Sequence, residues 1–296
     1  MGLGATSYGM LATFVKLAYS DTGVTGNKFS PAEVISSQFI IGILAILIIN
    51  AASRLKKGNQ VVAATPRNIM LLMLTGTSTG LTSIFYYLAV KYIPVSIGIV
   101  LLMQTVWMGV LLEWALEKKR PSGLKFLAVF IVLAGTAMAT NLLSSRELPD
   151  WRGVVLGILA AASFTTTMFA SNRVATHISS AQRSLYMLLG GAFVVFLFAA
   201  ITQTHEYNYD IFYKWGILIA IFGTVIPPLL MNAGFPLTGI GLGSIVSALE
   251  LPVSVMMAFL LLGEQVVAVQ WIGIVLIIGA VVLMNLPGGR IRALGS

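Results

Sequence analysis

Ten apolar runs, most of them long enough to carry a helix across a bilayer, dictate what this chain can fold into. A membrane-spanning helix needs roughly 20 predominantly apolar residues. The runs fall at residues 4–19, 32–53, 68–90, 95–116, 123–142, 153–175, 180–202, 213–233, 238–262 and 269–286. Each is continuous, without the short alternating pattern of an outer-membrane barrel strand, so they read as helices. The connections are short and leave no room for a second soluble domain. Charge agrees: 9% of the residues are charged and 57% are hydrophobic, against roughly 25% charged in a soluble globular chain. So few charges cannot clothe a water-facing surface. The first run has the length of a signal-peptide core, but no basic segment precedes it and Lys16 lies inside it, so a membrane helix is expected there.

The sequence has no cysteine, which excludes disulfides, thiolate metal sites and cysteine nucleophiles. A net charge of +8 would suggest nucleic acid as partner of a soluble protein. Here the basic residues sit between apolar runs, where they set orientation, and no nucleic-acid partner is expected. With the N-terminus inside, the cytoplasmic segments hold Arg54, Lys56, Lys57, Arg67, Lys118, Lys119, Arg120, Lys125, Arg173, Arg183, Arg290 and Arg292. The external segments hold only Lys28, Lys91, Arg146, Arg152 and Lys214. That bias puts both termini in the cytoplasm and requires an even number of crossings.

The chain also repeats itself. The stretch from Leu88 to Pro121, LAVKYIPVSIGIVLLMQTVWMGVLLEWALEKKRP, resembles the stretch from Met231, MNAGFPLTGIGLGSIVSALELPVSVMMAFLLLGEQ, and each continues into an apolar helix ending in Asn. Glu117 pairs with Glu264, Gly135 with Gly279 and Asn141 with Asn285, while Ser7-Tyr8 pairs with Ser163-Phe164. The expected units are residues 1–146 and 147–296, five helices each, within one membrane domain. An odd number of crossings makes the second unit enter from the opposite side. The pair is then related by a pseudo-twofold axis in the membrane plane, a plan common among transporters.

These residues resemble the EamA-type transporters of the drug/metabolite transporter superfamily. Leu261-Leu262-Gly263-Glu264, followed by Gln270-Trp271-Ile272-Gly273 and Gly279, looks like that family's repeat unit, and Ser7-Tyr8-Gly9 with Lys16 resembles its opening helix. Glu250 sits where the family often has Glu-Pro, but here Leu251 separates it from Pro252. The first half is more divergent, keeping Glu117 without a glycine before it. The resemblance covers almost the whole chain. It implies an all-α membrane protein of ten transmembrane helices, arranged as two inverted five-helix repeats around a central cavity, in a bacterial cytoplasmic (inner) membrane. The third, fourth, eighth and ninth helices would contribute to the cavity wall. Within the family, the overall pattern is most similar to the YddG-type exporters of aromatic amino acids.

Polar groups inside the runs are the candidate binding residues, because burying a charge in hydrocarbon costs roughly 2.5–3.5 kcal/mol even on insertion scales. Glu250 lies mid-run beside Pro252. It is expected either to carry a proton or substrate amine, or only to lock helices together. Lys16 can meet a carboxylate or snorkel to the nearby interface, and Glu113 reads as interfacial beside the basic run at 118–120. Tyr8, Tyr86, Gln104, Trp107, Phe164, Asn232 and Ser244 complete the expected substrate site; Gln104 and Trp107 share a helix face. A flat apolar solute stacks on aromatic rings, and amides and hydroxyls bind the polar ends of an amino acid. Pro227, Pro228 and Pro252 are expected hinges.

The expected activity is secondary transport by alternating access, exporting aromatic or other hydrophobic amino acids. A carrier of another metabolite (a sugar, a nucleotide derivative or a drug-like solute) is the alternative. No ATP-binding GxxxxGK[ST] segment occurs. No catalytic residue, metal site or cofactor is expected, since His177 and His205 stand apart near helix ends and no grouped nucleophiles and acids suggest an intramembrane enzyme. No charged ring suggests a channel. Proton coupling through Glu250 and uncoupled downhill flow both stay open, as do monomer and homodimer.

Overall fold

A computed structural model describes residues 1–22, 26–55, 62–93, 95–118, 120–141, 149–263 and 265–286. Lys56, Lys57, Lys119, Arg146, Glu264, Arg290, Arg292 and the expected boundary between 146 and 147 lie outside the described residues.

The described chain is almost entirely helical. The first five runs become α1 (Gly2–Ser20), α2 (Pro31–Leu55), α3 (Pro66–Ala89), the pair α4 (Val95–Leu102) and α5 (Thr105–Glu117), and α6 (Gly123–Ala139). The sixth and seventh become α7 (Trp151–Arg173) and α8 (Ser180–Thr202). The eighth is a continuous rod: a π-helical turn at Phe212–Gly216 leads into α9 (Ile217–Ala220), and a second at Ile221–Val225 joins it to α10 (Ile226–Thr238). The ninth is split into α11 (Ile240–Ser247) and α12 (Glu250–Leu262), and the last is α13 (Ala268–Asn285).

Eight of these stretches are long and apolar enough to cross a membrane. The shorter apolar α6, with 17 residues, is a ninth apolar helix. The polar residues Ser7, Tyr8, Thr13 and Lys16 dilute the apolar character of α1. The exposed surface carries Leu44, Ile48, Phe130, Phe193, Leu197 and Ile201, a surface suited to lipid. Composition and span length together mark an integral membrane protein.

Helix starts follow local chemistry. Glu33 N donates to Ser30 Oγ at 3.1 Å while Ser30 N donates to Glu33 Oε2 at 2.7 Å, a reciprocal cap that opens α2. Ser179 caps α8 by accepting from Gln182 N at 3.2 Å, and Asp150 caps α7 by accepting from Arg152 N at 2.8 Å. Both split helices turn through tightened bonds: Gln104 N to Leu101 O and Val106 N to Met103 O in one, Leu249 N to Val246 O and Leu251 N to Ala248 O in the other. Such i→i−3 stretches inside a helix often mark hinges.

Lipid supplies little force to press helices together, so close backbone approach matters. α3 packs on both α7 and α8, α6 on α13, α2 on α8, α1 on α12 and α5 on α11. At the α3–α8 contact, a side chain on Gly190 would overlap the Met73 carbonyl. At the α6–α13 contact, one on Gly135 would come within 2.9 Å of the Gly273 carbonyl. Any larger residue at either place would force the helices apart.

Two charges expected near water are instead buried. Glu113 pairs with Lys125 at 2.5 Å and accepts from Gly241 N at 3.2 Å, which ties α5, α6 and α11 together. Glu113 thus serves a structural ion pair and does not line the cavity described below. Arg183, counted above among loop charges, is 2% exposed. It lies within α8, where its guanidinium reaches backbone carbonyls of α7 and α10.

Candidate functional site

The helices enclose a cavity of about 600 Å³, within the roughly 300–1,000 Å³ typical of small-molecule sites. α1 contributes Tyr8, Thr13, Lys16 and Tyr19; α3 contributes Thr82, Ser83, Tyr86 and Tyr87. Gln38 and Phe39 come from α2, Phe164 from α7, and Glu250 with Ser254 from α12. The tyrosines form an edge-to-face set: Tyr19 on Tyr87 with ring centres 6.0 Å apart, and Tyr86 on Tyr87 at 6.2 Å. Tyr8 meets Phe164 edge-on at 6.0 Å.

The cavity has one wide end. Its lining continues to the exposed residues Lys16 and Gln265. At the other end, Tyr8, Thr79, Phe164 and Thr167 also border a void of about 20 Å³ that runs on to Ser184, Met187, Asn232 and Phe235. Beyond that void the bundle is tied shut. Asn172 Nδ2 donates to Phe235 O at 2.6 Å, and Arg173 pairs with Glu117 at 2.7 Å. Arg183 donates to Asn232 O at 2.6 Å, to Val174 O at 3.1 Å, and also to Ala170 O and Ser171 O.

Glu250 is the one acidic residue among the described cavity-lining residues, and Lys16 the one basic residue. The helix break at Ala248-Leu249 puts Glu250 in the first turn of α12, where the helix dipole favours negative charge. Pro252 follows in the same turn, where its missing N–H costs least. The carboxyl shares the cavity wall with the phenols of Tyr8 and Tyr86. Near the wide end, Asp21 caps α1 and accepts from Trp215 Nε1 at 2.8 Å, with Lys214 Nζ at 3.5 Å. The indole hydrogen bond is the main reason its carboxyl is held below the usual range; partial desolvation opposes it and Lys214 reinforces it.

Of the residues expected from sequence, Tyr8, Tyr86, Phe164 and Glu250 line the cavity. Asn232 lies past the constriction, where it donates to Ser184 Oγ at 2.9 Å. Gln104 and Trp107 do not line the cavity. They satisfy each other, Trp107 Nε1 donating to Gln104 Oε1 at 2.8 Å while Gln104 Nε2 donates to Val100 O at 3.0 Å. Ser244 is also outside it, donating to Val106 O at 3.1 Å and to Gly241 O at 2.9 Å while packed against Gly109. Pro227 and Pro228 begin α10, directly after the second π-helical turn. Sequence reasoning missed Gln38, Tyr19 and Thr13. The Ser36-Ser37-Gln38 triplet inside an apolar run was the signal that could have found the first of them.

These features define a helical membrane protein with a solute-sized, tyrosine-walled cavity inside its bundle. The chain belongs to the EamA-like transporter family, whose model matches residues 1–141 and 151–286. It is 27% identical over 214 residues to an uncharacterized transporter of Synechocystis sp., a match covering 68% of this chain and 62% of that protein. The chain thus spans less than two thirds of that relative's length. Its fold is similar to a solved crystal structure at a TM-score of 0.77 and 17% identity, covering 96% of this chain and 98% of the other. The names of the family and of the relative indicate a transporter rather than an enzyme.

Proposed function

We propose that the protein is a secondary carrier that exports aromatic or other hydrophobic amino acids by alternating access, as YddG-type exporters do. In this reading its ten membrane helices form two inverted repeats, residues 1–146 and 147–296, in a bacterial inner membrane with both termini cytoplasmic. The observation that carries the proposal is the cavity itself: solute-sized, walled by tyrosines, holding Glu250, wide at one end and stopped by Tyr8 and Phe164 at the other.

Several pairings support the inverted repeat. Contacts that a twofold axis exchanges occur together: α1 on α12 beside α7 on α4 and α5, and α3 on α7 beside α1 on α10. The left-handed helix ends Lys118 and Gly263 are 145 positions apart. The tightened bonds that split the two broken helices are separated by the same interval. Tyr8 and Phe164, the two aromatics that pair between the repeats, touch each other, as residues near such an axis would.

In this reading the aromatic ring of a solute lies among Tyr8, Tyr86 and Tyr87, and its ammonium faces Glu250. With the N-terminus inside, the wide end opens outward and the arginine-bound end faces the cytoplasm. Exchange between the repeats would open the second end and close the first. Glu250 also supports the second reading, in which a proton replaces the ammonium on the return step.

Counterflow tests this. Proteoliposomes preloaded with unlabelled L-phenylalanine are expected to accumulate labelled L-phenylalanine transiently above equilibrium, with tyrosine and tryptophan competing better than alanine or glucose. Equilibration without overshoot would instead fit a channel. Because the sequence has no cysteine, accessibility can be read without background. In right-side-out vesicles, Ser254→Cys in the cavity wall is expected to react with an impermeant maleimide, and Ser184→Cys beyond the constriction to be protected. Equal labelling of the two would remove the one-sided pathway.

A further inference from the structure

We propose that the carboxamide of Gln38 is a specificity-determining contact with the transported solute, engaging the polar ammonium–carboxylate end of an amino acid. The side chain is 3% exposed and lines the cavity from α2. Its Oε1 is buried without any hydrogen-bond partner. Its Nε2 lies against Gly223, where any side chain would collide with it. The hydroxyl of Tyr19, lining the same cavity, is likewise buried and unpartnered. Thr224 does not supply the missing bond, because its hydroxyl donates to the Gln38 backbone carbonyl at 3.0 Å and to Ala220 O at 3.1 Å.

An unpaired amide in a membrane interior destabilises the fold, so its presence calls for a role beyond packing. The second half of the chain shows what the scaffold alone requires; this step rests on the inverted-repeat reading above. The caps Ser30–Glu33 and Ser179–Gln182 begin α2 and α8 in the same way, and the position five residues beyond each cap's last member is Gln38 in one and Met187 in the other. The Gln38 side chain lies against Gly223, whereas it is the backbone of Met187 that lies against Gly76. Met187 borders the small void past the constriction. The equivalent position in the second half thus carries an apolar side chain of similar length. The repeat does not itself call for an amide at this position, and the unpartnered Oε1 with its neighbouring Nε2 can complement a solute with both kinds of group.

The test compares Gln38→Met with wild type, a substitution that copies the residue at the equivalent position of the second half. Three labelled compounds are used: L-phenylalanine, phenethylamine without the carboxylate, and 3-phenylpropionate without the ammonium. Transport in proteoliposomes is paired with thermal melting in detergent. The expected result is a KM for L-phenylalanine raised by about tenfold or more, with a melting temperature equal to or above that of wild type. Discrimination of L-phenylalanine from at least one of the two truncated compounds should shrink in the variant. An unchanged KM, or discrimination kept intact against both, would overturn the assignment. So would a variant that melts well below wild type, since the amide would then be structural. Wild-type protein that exchanges no L-phenylalanine would instead overturn the amino-acid reading. The melting comparison would then decide on Gln38 alone: a variant at least as stable as wild type keeps the amide as a contact for another cargo, and a less stable one removes it.

Discussion

Replacing Arg183 with methionine is expected to lower the stability of the detergent-solubilised protein by at least about 3 kcal/mol, or to prevent its accumulation altogether. The residue is 2% exposed and its guanidinium bonds to four backbone carbonyls, three near the end of α7 and one in α10. No described carboxylate forms an ion pair with it. Its charge is met instead by the negative end of the α7 dipole and by carbonyl oxygens that no helix hydrogen bond fully satisfies. Hydrogen bonds to a charged group contribute about 1.5–3 kcal/mol each, and removing the donor also leaves buried acceptors unpaired. Methionine fills the volume but restores none of these bonds. Arg183→Lys keeps the charge but lacks the planar fork that reaches α7 and α10 together, so it should fall between the two. Unfolding followed by circular dichroism checks the order, and a methionine variant melting within a degree or two of wild type would sink it.

That prediction starts from a residue whose importance the sequence hid. Arg183 stands three positions inside a helix that begins at Ser180, next to an apolar run, and charge counting takes it for a loop residue. Only the approach of α10 shows that it is enclosed. Lys125 and Glu113 mislead in the same way: twelve positions apart, each near a run's end, they meet once α5 and α6 pack side by side. What depended on a single helix was legible. The apolar runs lie within a few residues of the helices found, except that the eighth extends past its expected end at Ala233 to Thr238. The broken ninth helix was partly legible, because Pro252 announced a disturbance that falls just before Glu250. The matching break at Met103-Gln104 carries no proline and was silent. The site divides along the same line. Tyr8, Tyr86, Phe164 and Glu250 are at the cavity, whereas Gln104, Trp107 and Ser244 bond within their own corner of the bundle. Helical spacing tells which residues share a face, but not whether that face meets a cavity or a neighbouring helix.

Glu250→Gln is expected to weaken transport of amine-bearing solutes by about 30-fold or more, while leaving the fold nearly as stable. Glutamine matches the shape of the carboxyl and stays near Tyr8 and Tyr86, so packing around α12 changes little. What it removes is the one carboxyl among the described cavity-lining residues, the group that the ammonium of the solute would face. In a water-poor site, truncating one partner of a buried charge pair costs about 2–5 kcal/mol, and about 2 kcal/mol is already some 30-fold in affinity. The loss should depend on the solute. L-Phenylalanine and phenethylamine, which bring an ammonium, should both suffer; 3-phenylpropionate, which brings none, should be carried no worse than before. The proton reading gives a different signature, because there the carboxyl must lose and regain a proton in each cycle. Glu250→Gln would then still exchange one L-phenylalanine for another across the membrane but would no longer respond to an imposed pH gradient. Saturation curves for the three compounds, with and without that gradient, separate the two roles. If all the curves coincide with those of wild type, Glu250 neither holds the solute nor moves the proton, and its carboxyl only steadies the start of α12.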